Sequence, residues 1–145
     1  MSTRGDGETV NVRRATVADA ATISALNADV QAVHAAALPW LFKTPSVDTF
    51  PPATAGAMLG RDDVLVYLAY LGDAPSVRPS LRGRGIGGAL LGAVRQAAED
   101  RDIRQVALDV WSFNERAEAF FRRHGFAAYN ERLWLRCNFR IQAGR

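Results

Sequence analysis

Cysteine is nearly absent from this chain of 145 residues, because Cys137 is the only one. A single cysteine forms no intrachain disulfide and no cysteine-based metal cluster, and no other metal-ligand spacing is present, so we expect no metal. Residues 1–8 lack the apolar core of a secretory signal, and we expect them to form a flexible N-terminus. No apolar run reaches the length that spans a bilayer. These absences predict a cytoplasmic protein without a membrane partner.

Lysine is equally rare, since Lys43 is the only one and the other Lys/Arg residues are all arginines. The net charge of +3 and the isoelectric point of about 9.6 would suit a nucleic-acid partner. The arginines, however, are scattered along the chain, whereas nucleic-acid binders more often cluster them with aromatic residues. The local group of Arg78, Arg82 and Arg84 surrounds glycines and suits a compact phosphate-bearing ligand. We therefore do not expect nucleic acid to be the main partner.

The order of apolar patterns predicts one α/β domain over residues 1–145, with a mixed sheet flanked by helices. Strands are predicted over Thr9–Arg13, Val64–Leu71, Gln105–Trp111, Phe126–Tyr129 and Leu133–Cys137. Helices are predicted from a capping box at Thr16 and Asp19 to Pro39, from Pro51 to Gly60, from Gly85 to Arg101, and from Asn114 to Arg123. The apolar faces predicted for the first and third helices consist of Ile23, Leu26, Val30 and Val33, and of Leu90, Leu91, Val94 and Ala98.

The most informative segment is the glycine-rich loop Arg82–Gly88, which stands directly before the third helix and contains Gly83, Gly85 and Gly87. Without Cβ atoms the backbone can turn sharply, and a ligand can come close to the main-chain N–H groups. Those groups and the positive end of the helix form a site for phosphate oxygens. A turn that binds nothing is the alternative, but each glycine inside a helix costs about 0.5–1 kcal/mol relative to alanine.

Two other phosphate-binding motifs fit this loop less well. Gly83, Gly85 and Gly88 satisfy the dinucleotide pattern G-x-G-x-x-G, and Asp109 lies at a suggestive distance downstream. A dinucleotide loop follows a buried aliphatic strand directly, whereas here Pro79 and polar residues precede the glycines. A P-loop requires Gly-Lys-Ser/Thr, and the loop has no lysine.

Two blocks of the sequence together resemble the GNAT superfamily of acetyl-CoA-dependent N-acetyltransferases. The first is the run from Val77 through Pro79 to the Arg82-x-x-Gly85-x-Gly87 pattern, which is similar to the family's coenzyme A loop. The second is Asn114-x-x-Ala117 followed by Gly125-Phe126, which is similar to the family's Asn-x-x-Ala…Gly-Phe segment. The blocks stand in the family's order and near its spacing, and the resemblance covers most of residues 10–137.

The resemblance implies a role for each matching position. Main-chain amides from Arg82 to Gly87 (with Gly83, Arg84, Gly85 and Ile86 between them) and the adjoining Gly88 would hold the pyrophosphate of acetyl-CoA. Val77 would pair with the pantetheine arm. Asn114 would hydrogen-bond the cofactor arm, cap its helix, or do both. Phe120 and Phe121 would line the cofactor or belong to the core.

The chain departs from the family at the position of the catalytic acid. Phe121 stands where the family commonly has a tyrosine that protonates the leaving thiolate. Water, another group such as Tyr129, or no dedicated acid would then serve, since a thiol has a reference pKa near 8.5. The attacking amine must be neutral, and Asp109 is a candidate base. A solvated strand face or an ion pair is its alternative role, so the catalytic residues stay unassigned.

A second departure concerns the strands before the loop, because the family has a hairpin there whose second strand leads into Val77. Here Pro75 meets Ser76 directly, so about 30 residues are expected to be missing, deleted or not included at that point. If this short chain is the whole protein, pairing with a second copy to form a homodimer becomes the expected outcome, since open sheet edges attract partners.

Weaker signals concern the acceptor and the remaining reactive side chains. His34, Trp40 and Phe42 occupy the region that shapes substrate entry in the family, although a surface histidine and core aromatics are the alternative. We expect His124 to be structural near a helix end and Cys137 to be a buried apolar residue. The resulting hypothesis is direct acetyl transfer to an amine within a ternary complex. A coenzyme A-binding module with regulatory or weak catalytic activity is the alternative.

Overall fold

The computed structural model of the chain describes residues 9–46, 48–72, 74–75 and 83–137. The predicted flexible N-terminus, residues 1–8, lies outside this range, as do Val77, Arg78 and Arg82. Contacts group the chain into two compact units, Met1–Val106 and Ala107–Arg145. Each unit is described by itself.

The first unit contains an antiparallel sheet with the strand order β1-β2-β3. The three strands are β1 (Val10–Arg14), β2 (Tyr67–Leu71) and β3 (Ala74–Pro75). In β2, Leu68, Ala69 and Leu71 are all buried, so both faces of this central strand are covered. β2 begins three residues later than predicted, although Ala15 N–H still donates to the carbonyl oxygen of Val66 at 2.7 Å.

The helices of the first unit begin and end close to their sequence signals. A 3₁₀ turn (Val17–Asp19) leads into α1 (Ala20–Ala37), and the Asp19 carboxylate accepts a hydrogen bond from Thr16 N–H at 2.8 Å. The capping box predicted at Thr16 and Asp19 is therefore confirmed, and α1 ends before Pro39. α2 (Pro52–Leu59) starts on a proline and is capped by Gly60, as predicted. α3 (Ile86–Glu99) packs against β1 and β2.

The apolar faces predicted for α1 and α3 are partly wrong. Val30 and Val33 of α1 are 40% and 47% exposed, and Val94 of α3 is 37% exposed. In α3, Leu91 and Ala98 are buried as expected. Alanines occur on all sides of α1. The spacing of its few large side chains therefore does not determine which side of the helix packs against the rest of the unit.

The second unit contains α4 (Glu115–Arg123), which has Asn114 as its N-cap. The Asn114 side-chain oxygen accepts a hydrogen bond from Ala117 N–H at 3.2 Å, which confirms the predicted cap. Gly125 ends the helical segment with a φ of 92°, a conformation that glycine adopts without strain. Glu118 and Arg122 form an ion pair one turn apart on the exposed side.

Three predicted strands are wrong. Gln105–Trp111, Phe126–Tyr129 and Leu133–Cys137 adopt no regular secondary structure. Tyr129, Leu133 and Leu135 are 82%, 87% and 85% exposed, and Cys137 is exposed instead of buried. A strand is stable only when a neighbour pairs with its backbone, and within the described ranges no such neighbour bonds to these segments. Alternating apolar residues therefore indicated strands that lack a partner here.

The α/β class is confirmed, but the pairing within the sheet differs from the predicted mixed pattern. Every strand pair among the described residues is antiparallel. The predicted loss of a hairpin between Pro75 and Ser76 is not tested by these features and stays a prediction. None of the helices in the described ranges is long and apolar enough to cross a membrane.

Candidate functional site

The glycine-rich loop enters α3 through two residues in the left-handed conformation. Gly83 has a φ of 81°, and Gly85, the N-cap of α3, has a φ of 78°. The first helical hydrogen bond runs from Ala89 N–H to the carbonyl oxygen of Gly85 at 3.0 Å. The amides that precede Ala89 in the first turn therefore have no acceptor within the helix. A left-handed residue followed by helical ones also forms a concave arrangement of N–H groups that suits an anion.

The described residues leave the space above this turn open. A Cβ atom placed on Gly83, Gly85 or Gly88 would meet no heavy atom of another described residue within 4 Å. The glycines are therefore not required by close packing within the protein. The positive φ angles favour glycine at positions 83 and 85. Gly88, which lies within α3, leaves the first helical turn without a side chain at that position. Together with the positive end of the helix dipole, this geometry fits a diphosphate group.

The cofactor residues predicted in the loop divide into described and undescribed positions. Gly83, Arg84, Gly85, Ile86, Gly87 and Gly88 lie together at the start of α3. The Arg84 side chain is exposed beside the turn, and Ile86 is half-buried. Val77 and Arg82 lie outside the described residues, so their predicted roles stay predictions.

The cofactor residues predicted in the second unit form the start and the apolar face of α4. Asn114 is exposed and caps the helix, as described above. Phe120 and Phe121 pack edge to face with centroids 5.2 Å apart. His124 lies 4.3 Å from Phe120, and Phe126 lies 5.6 Å from Phe121. These contacts give both phenylalanines a packing role. Because residue 121 is phenylalanine, it has no hydroxyl group that could act as an acid.

The acceptor candidates lie at the end of α1 and in the turn that follows. His34 in the last turn of α1 contacts Phe42, with ring centroids 5.2 Å apart. Both rings are half-buried, whereas Trp40 between them in sequence is 46% exposed. The structure thus brings His34 and Phe42 into contact.

The two candidates for proton transfer are not oriented by hydrogen bonds or ion pairs with other described residues. Asp109 and Tyr129 are exposed, and neither side chain forms a hydrogen bond or ion pair with another described residue. A general base is normally oriented by its neighbours, so these residues gain no support from their environment. No group of three His, Cys, Asp or Glu residues that could hold a metal ion occurs in the described ranges.

The strongest electrostatic cluster of the first unit joins β1 to the start of α1. Arg13 donates to both carboxylate oxygens of Asp19, at 2.7 and 2.9 Å, and to the Tyr70 hydroxyl at 2.7 Å. The hydrogen bond from Arg13, followed by that from Thr16 N–H, holds the pKa of Asp19 well below its usual range. The capping role of Asp19 was predicted from sequence, but its pairing with Arg13 was missed. These contacts are structural.

Sequence reasoning also missed a cleft beside α1. It has a volume of about 560 Å³, and the amide side chains of Asn27 and Gln31 line it together with Ser46 and Thr49. The available signal was the spacing of two amides four residues apart on a predicted helix, away from its large apolar residues.

Comparison with known proteins connects the loop to a family. The model of the acetyltransferase (GNAT) family matches residues 73–126, a range that contains both the glycine-rich loop and α4. No protein with a curated description matches the sequence significantly.

Several solved structures share the fold. A tetramutant of the BH1408 protein from Bacillus halodurans has a TM-score of 0.75 and 22% identity, with 88% of this chain and 99% of that chain covered. AAC(6')-Iy in complex with the bisubstrate analogue CoA-S-monomethyl-acetylneamine has a TM-score of 0.65 and 16% identity, with coverages of 90% and 99%. A ribosomal-protein-alanine N-acetyltransferase from Brucella melitensis biovar Abortus 2308 has a TM-score of 0.61 and 16% identity, with coverages of 90% and 100%.

The family match rests on the sequence from the end of the sheet through α4, and the structural similarity extends over most of the chain. The match includes the loop whose backbone geometry suits a diphosphate. These findings confirm the predicted resemblance of this chain to the GNAT superfamily of acetyltransferases, in sequence over residues 73–126 and in fold over most of the chain.

Proposed function

We propose that the chain is an N-acetyltransferase that takes acetyl-CoA as co-substrate and transfers its acetyl group to a primary amine. The observation that carries this proposal is the open turn at Gly83–Gly88, where two left-handed glycines and the bare first turn of α3 present N–H groups. Support for coenzyme A also comes from the similar AAC(6')-Iy structure, which holds an analogue built from CoA.

In this proposal the loop amides from residue 82 to residue 88 hold the pyrophosphate, and Arg84 adds positive charge beside it. The Val77 backbone pairs with the pantetheine arm. Asn114 caps α4 and hydrogen-bonds the arm, while Phe120 and Phe121 flank it. His34, Trp40 and Phe42 are candidates for lining the acceptor site. We also propose that the protein acts in the cytoplasm.

The chemistry is direct transfer within a ternary complex. The neutral amine attacks the thioester carbonyl, the new C–N bond forms, and the C–S bond breaks to release the thiolate of coenzyme A. One proton leaves the amine nitrogen, with Asp109 as the candidate base. The thiolate takes up a proton from water or from a residue such as Tyr129, because Phe121 has no proton to donate.

The test measures binding and turnover separately. Calorimetry with coenzyme A and acetyl-CoA reports occupation of the loop, and release of free thiol reports transfer. The acceptor panel contains sisomicin and a peptide with an N-terminal alanine, because the similar structures include aminoglycoside and ribosomal-protein acetyltransferases. We expect saturable binding and amine-dependent thiol release. Absence of binding to the folded full chain would contradict the proposal.

A coenzyme A-binding module without efficient catalysis is the second candidate function. The observation that favours it is Phe121, which packs against Phe120 and Phe126 where the family resemblance implies a tyrosine. The variant Phe121→Tyr distinguishes the two functions. An enzyme that relies on water should already turn over with Phe121, whereas a module should bind the cofactor and release thiol only after the hydroxyl is restored, or not at all.

A further inference from the structure

The first unit contains a cleft that the acetyl-transfer proposal does not use. It lies between one side of α1 and the segment that leads into α2, and its volume is about 560 Å³. That volume falls within the range of about 300–1,000 Å³ that is typical of ligand sites. Ser24 on α1 donates a hydrogen bond from its hydroxyl to the carbonyl oxygen of Phe50 at 2.6 Å. The two walls are therefore tied together at one end of the cleft.

The wall opposite α1 is a turn held by its own hydroxyl groups. Ser46 N–H donates to Oγ1 of Thr49 at 2.8 Å, and Thr49 N–H donates to the carbonyl oxygen of Ser46 at 3.1 Å. These bonds link Ser46 to Thr49, and both residues line the cleft, where their hydroxyl oxygens lie 3.4 Å apart. Pro45, Phe50 and Pro52 add apolar surface beside them.

The cleft has no charged lining. Among the described residues that line it there is no Asp, Glu, Lys, Arg or His. Its polar groups are amides and hydroxyls, which combine donors with acceptors. Such a surface has no charge to pair with an anion or a polycation, and it matches a ligand that presents neutral N–H and C=O groups together.

Two side-chain amides, one helical turn apart on α1, line the cleft. Asn27 and Gln31 are half-buried, and neither amide hydrogen-bonds to another described residue. Their separation of four helical residues corresponds to a rise of about 6 Å. In an extended peptide, groups that point to the same side repeat about every 6.8 Å, because each residue rises about 3.4 Å. The side-chain amides of Asn27 and Gln31 can therefore each face one of two successive main-chain groups on the same side of the peptide. Each amide can accept a hydrogen bond from an N–H and donate one to a C=O.

We propose that this cleft binds an uncharged peptide segment in an extended conformation. Asn27 and Gln31 hydrogen-bond its main chain from the α1 side, and the hydroxyls of Ser46 and Thr49 serve the other side. Small side chains on α1 and the ring of Phe50 receive the peptide's apolar side chains. Binding requires neither acetyl-CoA nor turnover, so it can succeed or fail independently of the acetyltransferase proposal.

The experiment follows the side-chain amide signals of Asn27 and Gln31 by NMR in the full chain without coenzyme A. The probe is a pool of N-acetylated, C-amidated five-residue peptides made from alanine, threonine, valine and glycine. We expect both amide signals to shift saturably. The double variant Asn27→Ala/Gln31→Ala should bind about tenfold more weakly, as expected for the loss of two or more neutral hydrogen bonds. Alanine favours helix, so α1 should stay folded.

The matched control is Gln96→Ala, which removes an exposed helical amide outside the cleft. It should leave peptide affinity unchanged. A pool in which each peptide carries three lysines and a solution of sorbitol serve as competing ligand classes. Absence of saturable shifts at millimolar peptide, equal affinity of the double variant, or equal shifts with sorbitol or the lysine pool would overturn the proposal.

Discussion

The two units of this chain differ most in what covers their apolar side chains. Every buried apolar side chain in the described ranges belongs to the first unit, in β2, α2, α3 and the residue after β1. In the second unit, Leu133 and Leu135 are 87% and 85% exposed, although their segment was predicted to form a strand. The difference teaches that an alternating pattern specifies a strand only when another strand is available to pair with it.

The helices obey a different rule in both units. α4 forms beside segments without regular secondary structure because an α-helix satisfies its backbone hydrogen bonds internally and has a cap at Asn114. α3 forms in the same way behind a glycine N-cap. The loop amides and Asn114, which are proposed to bind the cofactor, lie at these helix starts, so their local geometry does not depend on strand pairing in the second unit.

The largest expected difference between the two units concerns the truncation of one leucine in each of them. Leu68→Ala in β2 removes a side chain that is 3% exposed, and it should lower the free energy of unfolding by about 2–5 kcal/mol. Leu135→Ala in the second unit should change it by less than about 0.5 kcal/mol. Urea denaturation followed by circular dichroism measures both. Similar losses for the two variants would mean that Leu135 is covered in solution.

The next largest effect should concern cofactor binding by the first unit. Gly85→Glu places a side chain at a φ of 78° and a negative charge at the proposed phosphate site, so affinity for coenzyme A should fall at least about 100-fold by calorimetry. Gly92→Glu makes the same change farther along α3, where the added Cβ also meets open space. It should bind nearly normally. Equal affinities in the two folded variants would contradict the location of the site.

A smaller effect is expected at the start of α4. Asn114→Ala removes the cap bond to Ala117 and should destabilise the helix by about 1 kcal/mol, which hydrogen exchange of the α4 amides would detect as roughly fivefold faster opening. Asn130→Ala, at an exposed position outside any helix, is the control and should change nothing. Asn114→Ser keeps a capping side chain, so a loss of coenzyme A affinity in that variant would assign Asn114 a cofactor contact as well.

The smallest effect concerns acid stability of the first unit. Because the Arg13 hydrogen bonds lower the native pKa of Asp19, the ion pair stabilises the fold fully above the unfolded value of about 3.9. That contribution is lost as the pH falls toward the native pKa. The Tm should therefore drop between pH 5 and pH 2 more steeply in the wild type than in Asp19→Asn. Asp63→Asn breaks an exposed pair with Arg61 and should alter the profile less. Parallel profiles for wild type and Asp19→Asn would exclude the role assigned to Asp19.

Much of the fold and part of the candidate site could be predicted from residue types alone. Pro52 and Gly60 marked α2, Asn114 marked α4, and the glycines marked the turn before α3, because each signal acts on the local backbone. The pairing of Arg13 with Asp19, six residues away, was missed, and the hydrogen bond from Arg13 to Tyr70 could not be predicted, since that contact depends on β1 and β2 lying in a specific register. The cleft beside α1 was missed for the same reason, because its second wall comes from a distant turn.

The sequence by itself determined where the helices start and stop, the glycine turn before α3, and the resemblance of two local blocks to the acetyltransferase family. These properties depend on backbone conformations and hydrogen bonds within a few residues. Only the tertiary structure decided that Val30 and Val33 are exposed, that the segments after residue 104 form no strands, and that Asn27 and Gln31 line a cleft. Burial and strand pairing depend on which segments, distant in sequence, pack against each other. A local sequence pattern does not specify which distant segment that is.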